Sequence, residues 1–513
     1  MSIESSKEHD MLGPTLSASE ASLQLHQSHV QEPKSKFHEI VFIGVVCSAQ
    51  LMTQAGLAQS IAPLHIIGQS FGATNPGQLS WFAAGYSLTV GTFILIAGRL
   101  GDIYGHKRFF VLGFLWYATW SVLAGFSAYS NQIFFDCCRA FQGIGPAFIL
   151  PNAIAILGRT YEPGRKKNMV FSLLGATAPG GFVLGATFSS LLGQLLWWPW
   201  SYWIMGIACL SLATAGVIVI PHTPSPQRTQ SNTFKSAWER VDAPGAITGV
   251  IGLILFNFAW NQGPVVGWQT PYTYALLIVG SIFLCAFFYL ESRAPFPLLP
   301  VAVLTKDTCF MLGCVAAGWS SFGIWIYYVW QFMTVLREQT PLLSSAQFVP
   351  VALSGLCAAI TTGFLLSHLP PSAVMLAAMT AFTVGGICIA TAPVQQTYWA
   401  QTFVSLIVMP WGMDMSFPAA TIILSNTMPK EHQGLAASLV NTVVNYSISI
   451  GLGFAGTIES QINDGGANVL KGYRGSWYMA IGLSGLGIAV AVTYAGYTYT
   501  RGRQSAGESL TKA

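Results

Sequence analysis

Gly98-Arg99-Leu100-Gly101-Asp102-Ile103-Tyr104-Gly105-His106-Lys107-Arg108 is a short charged stretch between two apolar runs, Trp81–Ala97 and Phe109–Ala128. Each run is long enough to cross a bilayer at about 1.5 Å per residue. A connection this short between two such runs is expected to be a tight hairpin at a membrane surface. Gly98 and Gly105 permit close backbone approach or positive φ. Asp102 is placed to cap a helix or to pair with a nearby cation. Lys107 and Arg108 hold the turn on the cytoplasmic side.

Composition points the same way. Charged residues are 8% of 513, against about 25% in a soluble globular chain. The hydrophobic share is 52% and the mean hydropathy +0.53, too apolar for a soluble core. Low charge density, with a net charge of +4, argues against nucleic acid as a partner. The nine cysteines fall mostly within apolar runs, as Cys47, Cys137, Cys138 and Cys285 do, and form no Cys-x-x-Cys pair or Cys/His cluster. No metal site or disulfide framework is therefore expected, and the thiols read as small apolar helix residues.

Residues 1–37 are polar, lack the n-region and h-region of a cleavable signal, and read as a disordered cytoplasmic tail. Beyond them lie fourteen apolar spans. They centre on 40–66, 79–98, 109–128, 132–157, 169–195, 201–220, 244–261 and 272–291, then 310–335, 345–366, 372–392, 399–424, 434–456 and 477–498. An even count puts both termini on one side. With the termini and every second loop assigned to the cytoplasm, 19 of the 23 Lys and Arg fall there, and Arg139, Arg337, Lys471 and Arg474 remain. That split is what the positive-inside rule requires. The spans group as two six-helix bundles, 38–221 and 308–500. Cytoplasmic linkers and two inserted spans occupy 222–307, and a cytoplasmic tail follows at 501–513. Gly363-Phe364-Leu365-Leu366-Ser367-His368 follows the second span of the second bundle, where Gly98–Asp102 stands in the first. The decayed repeat suits two halves that rock about a central site.

The pattern Gly-x-Leu-x-Asp-x-x-Gly-x-Lys-Arg closely resembles the loop 2–3 signature of the major facilitator superfamily of secondary transporters. The resemblance extends over roughly 38–500, and among members it is nearest to fungal fourteen-helix drug:proton antiporters, including those linked to toxin, metabolite or aminotriazole resistance. It implies an all-α membrane protein of the major facilitator fold, two six-helix bundles plus two inserted helices. In the fifth span, Gly175-Ala176-Thr177-Ala178-Pro179-Gly180-Gly181-Phe182-Val183-Leu184-Gly185 resembles the antiporter motif Gly-Pro-x-x-Gly-Gly of exporters. Ala178 replaces its first Gly, and Phe182-Val183 replace its closing pair. Gly175, Pro179, Gly181 and Gly185, with Gly98, Asp102, Gly105, Lys107 and Arg108, are the candidate gating residues.

Two intramembrane charges stand out. Arg139, in Arg139-Ala140-Phe141-Gln142-Gly143, lies about two turns into the fourth span, and a charge there costs several kcal/mol unless paired or hydrated. Asp136 is one turn away on the same face, which leaves open an Arg that snorkels to the headgroups. The superfamily's fourth helix carries a similar Arg-x-x-Gln-Gly pattern, linked in relatives to proton coupling. Asp414, in Pro410-Trp411-Gly412-Met413-Asp414-Met415-Ser416, is a mid-span carboxylate among Met, Trp and Phe and a candidate proton carrier. The coupling candidates are thus Asp414, Arg139 and Asp136. Relatives usually carry Leu-Asp-x-Thr in the first span, whereas here Gln54 stands in the acidic position and does not titrate. Gln54, Gln59, Gln142, Trp411, Asn441 and Asn445 are candidates to line the substrate cavity. Met and aromatic residues are dense in the ninth and twelfth spans, which suits bulky, apolar or amphipathic ligands.

The expected function is secondary-active transport by alternating access, with proton-coupled efflux of drugs, toxins or secondary metabolites as the leading reading. An importer or facilitator of a small polar solute, and a non-transporting sensor, are the alternatives. No Gly-x-x-x-x-Gly-Lys-Ser/Thr loop is present, and no catalytic constellation appears, so neither an ATP-driven pump nor an enzyme is expected. No cofactor is expected. The expected partners are a small-molecule substrate, protons and the lipid bilayer, and the expected location is the plasma membrane, with the vacuolar membrane as alternative.

Overall fold

In a computed structural model of the chain, residues 35–73, 75–162, 164–221, 234–427 and 433–511 are described. Residues 1–34 of the expected N-terminal tail, and 222–233 of the linker, lie outside them. The described residues form helices: α1 (Lys36–Ile61), α2 (Leu64–Ser70), α3 (Pro76–Tyr104), α4 (His106–Phe126), α5 (Gln132–Thr160), α6 (Arg165–Leu195), α7 (Pro199–Val219) and α8 (Phe234–Val241). The inserted pair is α9 (Ala243–Val266) and α10 (Pro271–Glu291). The second bundle is α11 (Lys306–Gln331), α12 (Pro341–His368), α13 (Pro371–Ala390), α14 (Gln401–Thr427), α15 (Gln433–Ile462) and α16 (Val469–Thr511). Among the described residues, 14 helices are long and apolar enough to cross a membrane.

The helices extend past their apolar runs because polar residues cap them. Asn75 Oδ1 accepts the Gly77 N–H at 2.9 Å, Asn131 Oδ1 that of Phe134 at 2.9 Å, and Thr305 and Thr340 cap α11 and α12 likewise. Proline in the first turn of α3, α7, α9, α10, α12 and α13 gives up an N–H that has no helical partner there. One expectation changes at the N-terminal end. Lys36 and Phe37 belong to α1, capped by Ser35, and not to the tail. At the other end, residues 501–511 continue α16 as helix.

The packing is that of two similar bundles. In the first, α1 packs on α6, and α5 on α3 and α4. In the second, α11 packs on α16, and α14 on α12 and α13. Across the seam the second span of each bundle meets the fifth of the other, α3 on α15 and α12 on α6, as a two-fold relation between halves requires. The inserted α9 lies over the α3–α15 seam, while α10 packs mainly on α9. The helix ends nearest residues 98–108 are called the basic end below, and the opposite ends the far end.

Candidate substrate and coupling site

The charged stretch that reads as a loop is mostly helix. α3 runs on through Tyr104, and Gly105 alone turns the chain, with φ 102° and its N–H on the Gly101 carbonyl at 2.8 Å. Gly98 serves close approach instead: a Cβ there would lie 3.4 Å from Ser438 Oγ of α15 and 3.6 Å from Pro151 Cβ of α5. Asp102 faces Arg159, at the end of α5, at 3.1 Å, and His106 Nε2 at 3.3 Å. Neither Lys107 nor Arg108 is its partner in these pairs. Lys107 Nζ donates to the Val217 carbonyl at 2.7 Å and to that of Ile220, closing the end of α7 where a cation is favoured. Arg108 is exposed. Arg99 Nε donates to the Arg240 carbonyl at 3.0 Å, so the turn is also fastened to α8.

Arg139 points inward and is completely buried. It does not snorkel, and it forms no ion pair with Asp136. Nε donates to the Phe82 carbonyl at 2.9 Å, Nη2 to the Gly56 carbonyl at 2.8 Å and to Ser60 Oγ at 3.1 Å, and Nη1 to Gln142 Oε1. Its guanidinium carbon sits 4.6 Å from the centre of the Tyr86 ring. Gln142 passes the chain on to Ser121 Oγ at 2.7 Å. The charge is thus dispersed over carbonyl dipoles and a ring face, tying α5 to α1 and α3. Gln142 is spent on this network and not on a substrate wall. Asp136 Oδ1 is buried without a hydrogen-bond partner.

The glycine-rich face of α6 divides. A Cβ on Gly181 or Gly185 would collide with the backbone of Leu51 or Ala55 of α1, whereas Gly175 and Gly180 face open space. Pro179 points elsewhere, toward α12. A Cβ on Gly355 would lie 2.9 Å from Pro179 Cγ and 2.9 Å from Asp414 Oδ2. Pro179 of the first bundle and Asp414 of the second thus converge on one glycine. Asp414 is half-buried, and its Oδ2 is buried without a hydrogen-bond partner. Trp411 lies one turn earlier on the same side of α14 and is half-buried.

On α1, Gln54 shares a helical face with Ala58 and Ile61, and His65, beyond the turn in α2, reaches the second bundle. Gln59 lies on another face, with its Oε1 buried and unpartnered. The Asn441 and Asn445 amides each donate at 2.9 Å to the carbonyl four residues back in α15. The echo of the turn in the second bundle has no ion pair. Ser367 Oγ donates to the Phe364 carbonyl at 2.6 Å.

A family model described as the Major Facilitator Superfamily matches residues 44–308 and 308–512. This chain belongs to the major facilitator superfamily. A relative described as "Low affinity ammonium transporter", from Saccharomyces cerevisiae, is 77% identical over 93% of this chain and 92% of its own. Another, "Efflux pump terJ" from Aspergillus terreus, is 50% identical over 92% of this chain and 91% of its own. The crystal structure of the POT family transporter PepTSo superposes with a TM-score of 0.66 at 15% identity, over 92% of this chain and 99% of that one. Such a likeness concerns the fold alone.

As a superfamily transporter, the chain also holds polar contacts that sequence reading missed. Hydrogen bonds between the bundles gather toward the far end: His65 Nε2 with Gln331 Oε1, the Leu342 N–H to Gln194 Oε1 at 3.2 Å, and Ser345 Oγ with Ser190 Oγ at 2.8 Å. Near Gln331, α11 widens into a π-helical turn, Phe332–Leu336. Glu459 is buried in α15 and accepts the Tyr328 hydroxyl at 2.7 Å. Where α9 crosses the seam, Asn261 Nδ2 donates to Asn257 Oδ1 at 2.7 Å and Ser449 Oγ is 2.9 Å from the Ala84 carbonyl. Single polar residues inside long apolar runs were the available signal for each. Apart from the Asn257–Asn261 pair, their partners lie over a hundred residues away and were not legible.

Proposed function

We propose that this chain is a secondary transporter of a small cation, ammonium above all, which binds at Asp414 between the two bundles and crosses by alternating access. The observation that carries this reading is the unpartnered, buried Oδ2 of Asp414 beside Pro179 and Gly355. A carboxylate oxygen so placed favours a cationic ligand with N–H donors, and the half-buried Trp411 ring one turn away adds a π face. Arg139, the other central charge, already has its donors committed to acceptors. The relative named for ammonium, at 77% identity, supports the substrate class. Protons compete with the cation for the same carboxylate, so coupling by exchange follows without an acidic residue at Gln54. Asp414 then carries ammonium in one direction and, once substrate-free, a proton in the other.

A second reading, proton-coupled efflux of larger metabolites or drugs, draws on the relative named as an efflux pump and on Met409, Trp411 and Met413 of α14. Under both readings the basic end is cytoplasmic and the protein sits in the plasma membrane. The two are separated by expressing the chain in cells that lack high-affinity ammonium uptake. Uptake of radiolabelled methylammonium, competed by ammonium, supports the first. No uptake, together with increased resistance to a panel of xenobiotics, supports the second and overturns the first.

A further inference from the structure

At the basic end of the inserted pair, two acidic side chains meet away from the central site. Asp242 opens α9 and Glu291 closes α10, and their side chains are 5% and 2% exposed. Each commits one oxygen to a backbone N–H: Asp242 Oδ1 to Gly245 at 3.3 Å, and Glu291 Oε2 to Leu299 at 3.0 Å. The remaining oxygens, Asp242 Oδ2 and Glu291 Oε1, are buried and have no other partner. Both surround Gly245. A Cβ there would collide with Asp242 Oδ2 and lie 3.0 Å from Glu291 Oε1. The two unpartnered oxygens thus flank a single methyl-sized space beside Gly245. Among the described residues, neither joins an ion pair.

Two carboxylates cannot both keep a full charge at this separation away from water. A cation shell would need more oxygen ligands than this pair offers, and no group of three or more metal-binding side chains occurs among the described residues. One proton resolves the repulsion, since a protonated carboxyl donates to its ionised neighbour over a short, charge-assisted bond. We infer that Asp242 and Glu291 form a binding site for a single proton, shared between them, that clips the two ends of the inserted hairpin together.

The clip has a mechanical consequence. Asp242 follows Arg240 by two residues, and the Arg240 carbonyl holds Arg99 of the signature turn. The joined hairpin ends thus give that turn a fixed anchor outside its own bundle. Asp242 and Glu291 are positioning residues for the turn and do not touch the substrate.

The test is infrared spectroscopy of the purified full chain in the region of the protonated-carboxyl C=O stretch, which needs no transport activity. Glu291→Gln and Asp242→Asn are each expected to remove the intensity of one protonated carboxyl. The double variant is expected to remove no more than either single one. The swap Asp242→Glu with Glu291→Asp is expected to keep that intensity, and Glu291→Gln to keep the wild-type melting temperature, whereas Glu291→Ala lowers it. Additive loss in the double variant would mean two separate protons and overturn the sharing. No loss in any variant would mean two ionised carboxylates neutralised by a bound cation and would overturn the site.

Discussion

The glycine face of α6 gives a prediction with its own control. Gly181→Ala and Gly185→Ala each place a methyl group into the backbone of Leu51 or Ala55. Backbone cannot rotate aside as a side-chain tip does, so α6 must move away from α1. Overpacking of this kind costs about 1–3 kcal/mol per site. Against it stands the gain from replacing a helical glycine by alanine, about 0.5–1 kcal/mol. The net loss is then on the order of 0–2.5 kcal/mol per site, from the difference of those two terms. Gly175→Ala and Gly180→Ala meet nothing within 4 Å and keep the gain alone. The two pairs should therefore move in opposite directions. Thermal unfolding of the four purified variants, followed by the fraction surviving size-exclusion chromatography, measures the order directly. Gly175→Ala and Gly180→Ala should melt at or above wild type, Gly181→Ala and Gly185→Ala below it. Equal melting temperatures for Gly175→Ala and Gly181→Ala would refute the claim that this face is divided by its contact with α1.

Three further outcomes follow from the geometry. Asp102→Asn loses a pair whose side chains are 52% and 38% exposed, so the effect on flux should be modest, about 1.4- to 5-fold for the 0.2–1 kcal/mol of an exposed pair, and should shrink as salt is raised. A salt-independent loss of a hundredfold at normal expression would show that the pair is desolvated elsewhere in the cycle. Arg139→Lys keeps the charge but replaces a fork that serves four acceptors. Losing two charge-assisted bonds costs on the order of 3 kcal/mol or more, so little folded protein should reach the membrane, and wild-type surface levels would contradict the network. Epitope tags at 75, in the α9–α10 connection at 267–270, and at 465 should be labelled on intact cells, and tags at 165, 230 and 505 should not, with the reverse pattern sinking the orientation.

How much was legible in the sequence depended on the range of the interactions. The spans were readable because each buries its own backbone hydrogen bonds and needs only an apolar run. Their ends were less so. Asn75 and Asn131 extend α3 and α5 beyond the apolar residues by capping, and Ile103 and Tyr104 stay helical because Gly105 alone makes the turn. Arg139 and Asp414 stood out as candidates from the cost of a charge in a membrane. Their surroundings were not. Asp136 looked like the partner of Arg139 by helical spacing, yet the guanidinium turns to carbonyls of α1 and α3, which no local pattern encodes. The meeting of Pro179 with Asp414, more than 200 residues apart, depends on how the two bundles face each other. His65 went unnoticed for the same reason, since its partner Gln331 is in the other bundle.

The central claim is that Asp414 receives the transported cation. It is tested most directly by methylammonium flux in proteoliposomes holding wild-type, Asp414→Asn and Asp414→Glu protein at matched density. The account predicts ammonium-competed flux in the wild type, its loss in Asp414→Asn, and partial retention in Asp414→Glu. Wild-type flux through Asp414→Asn would contradict it.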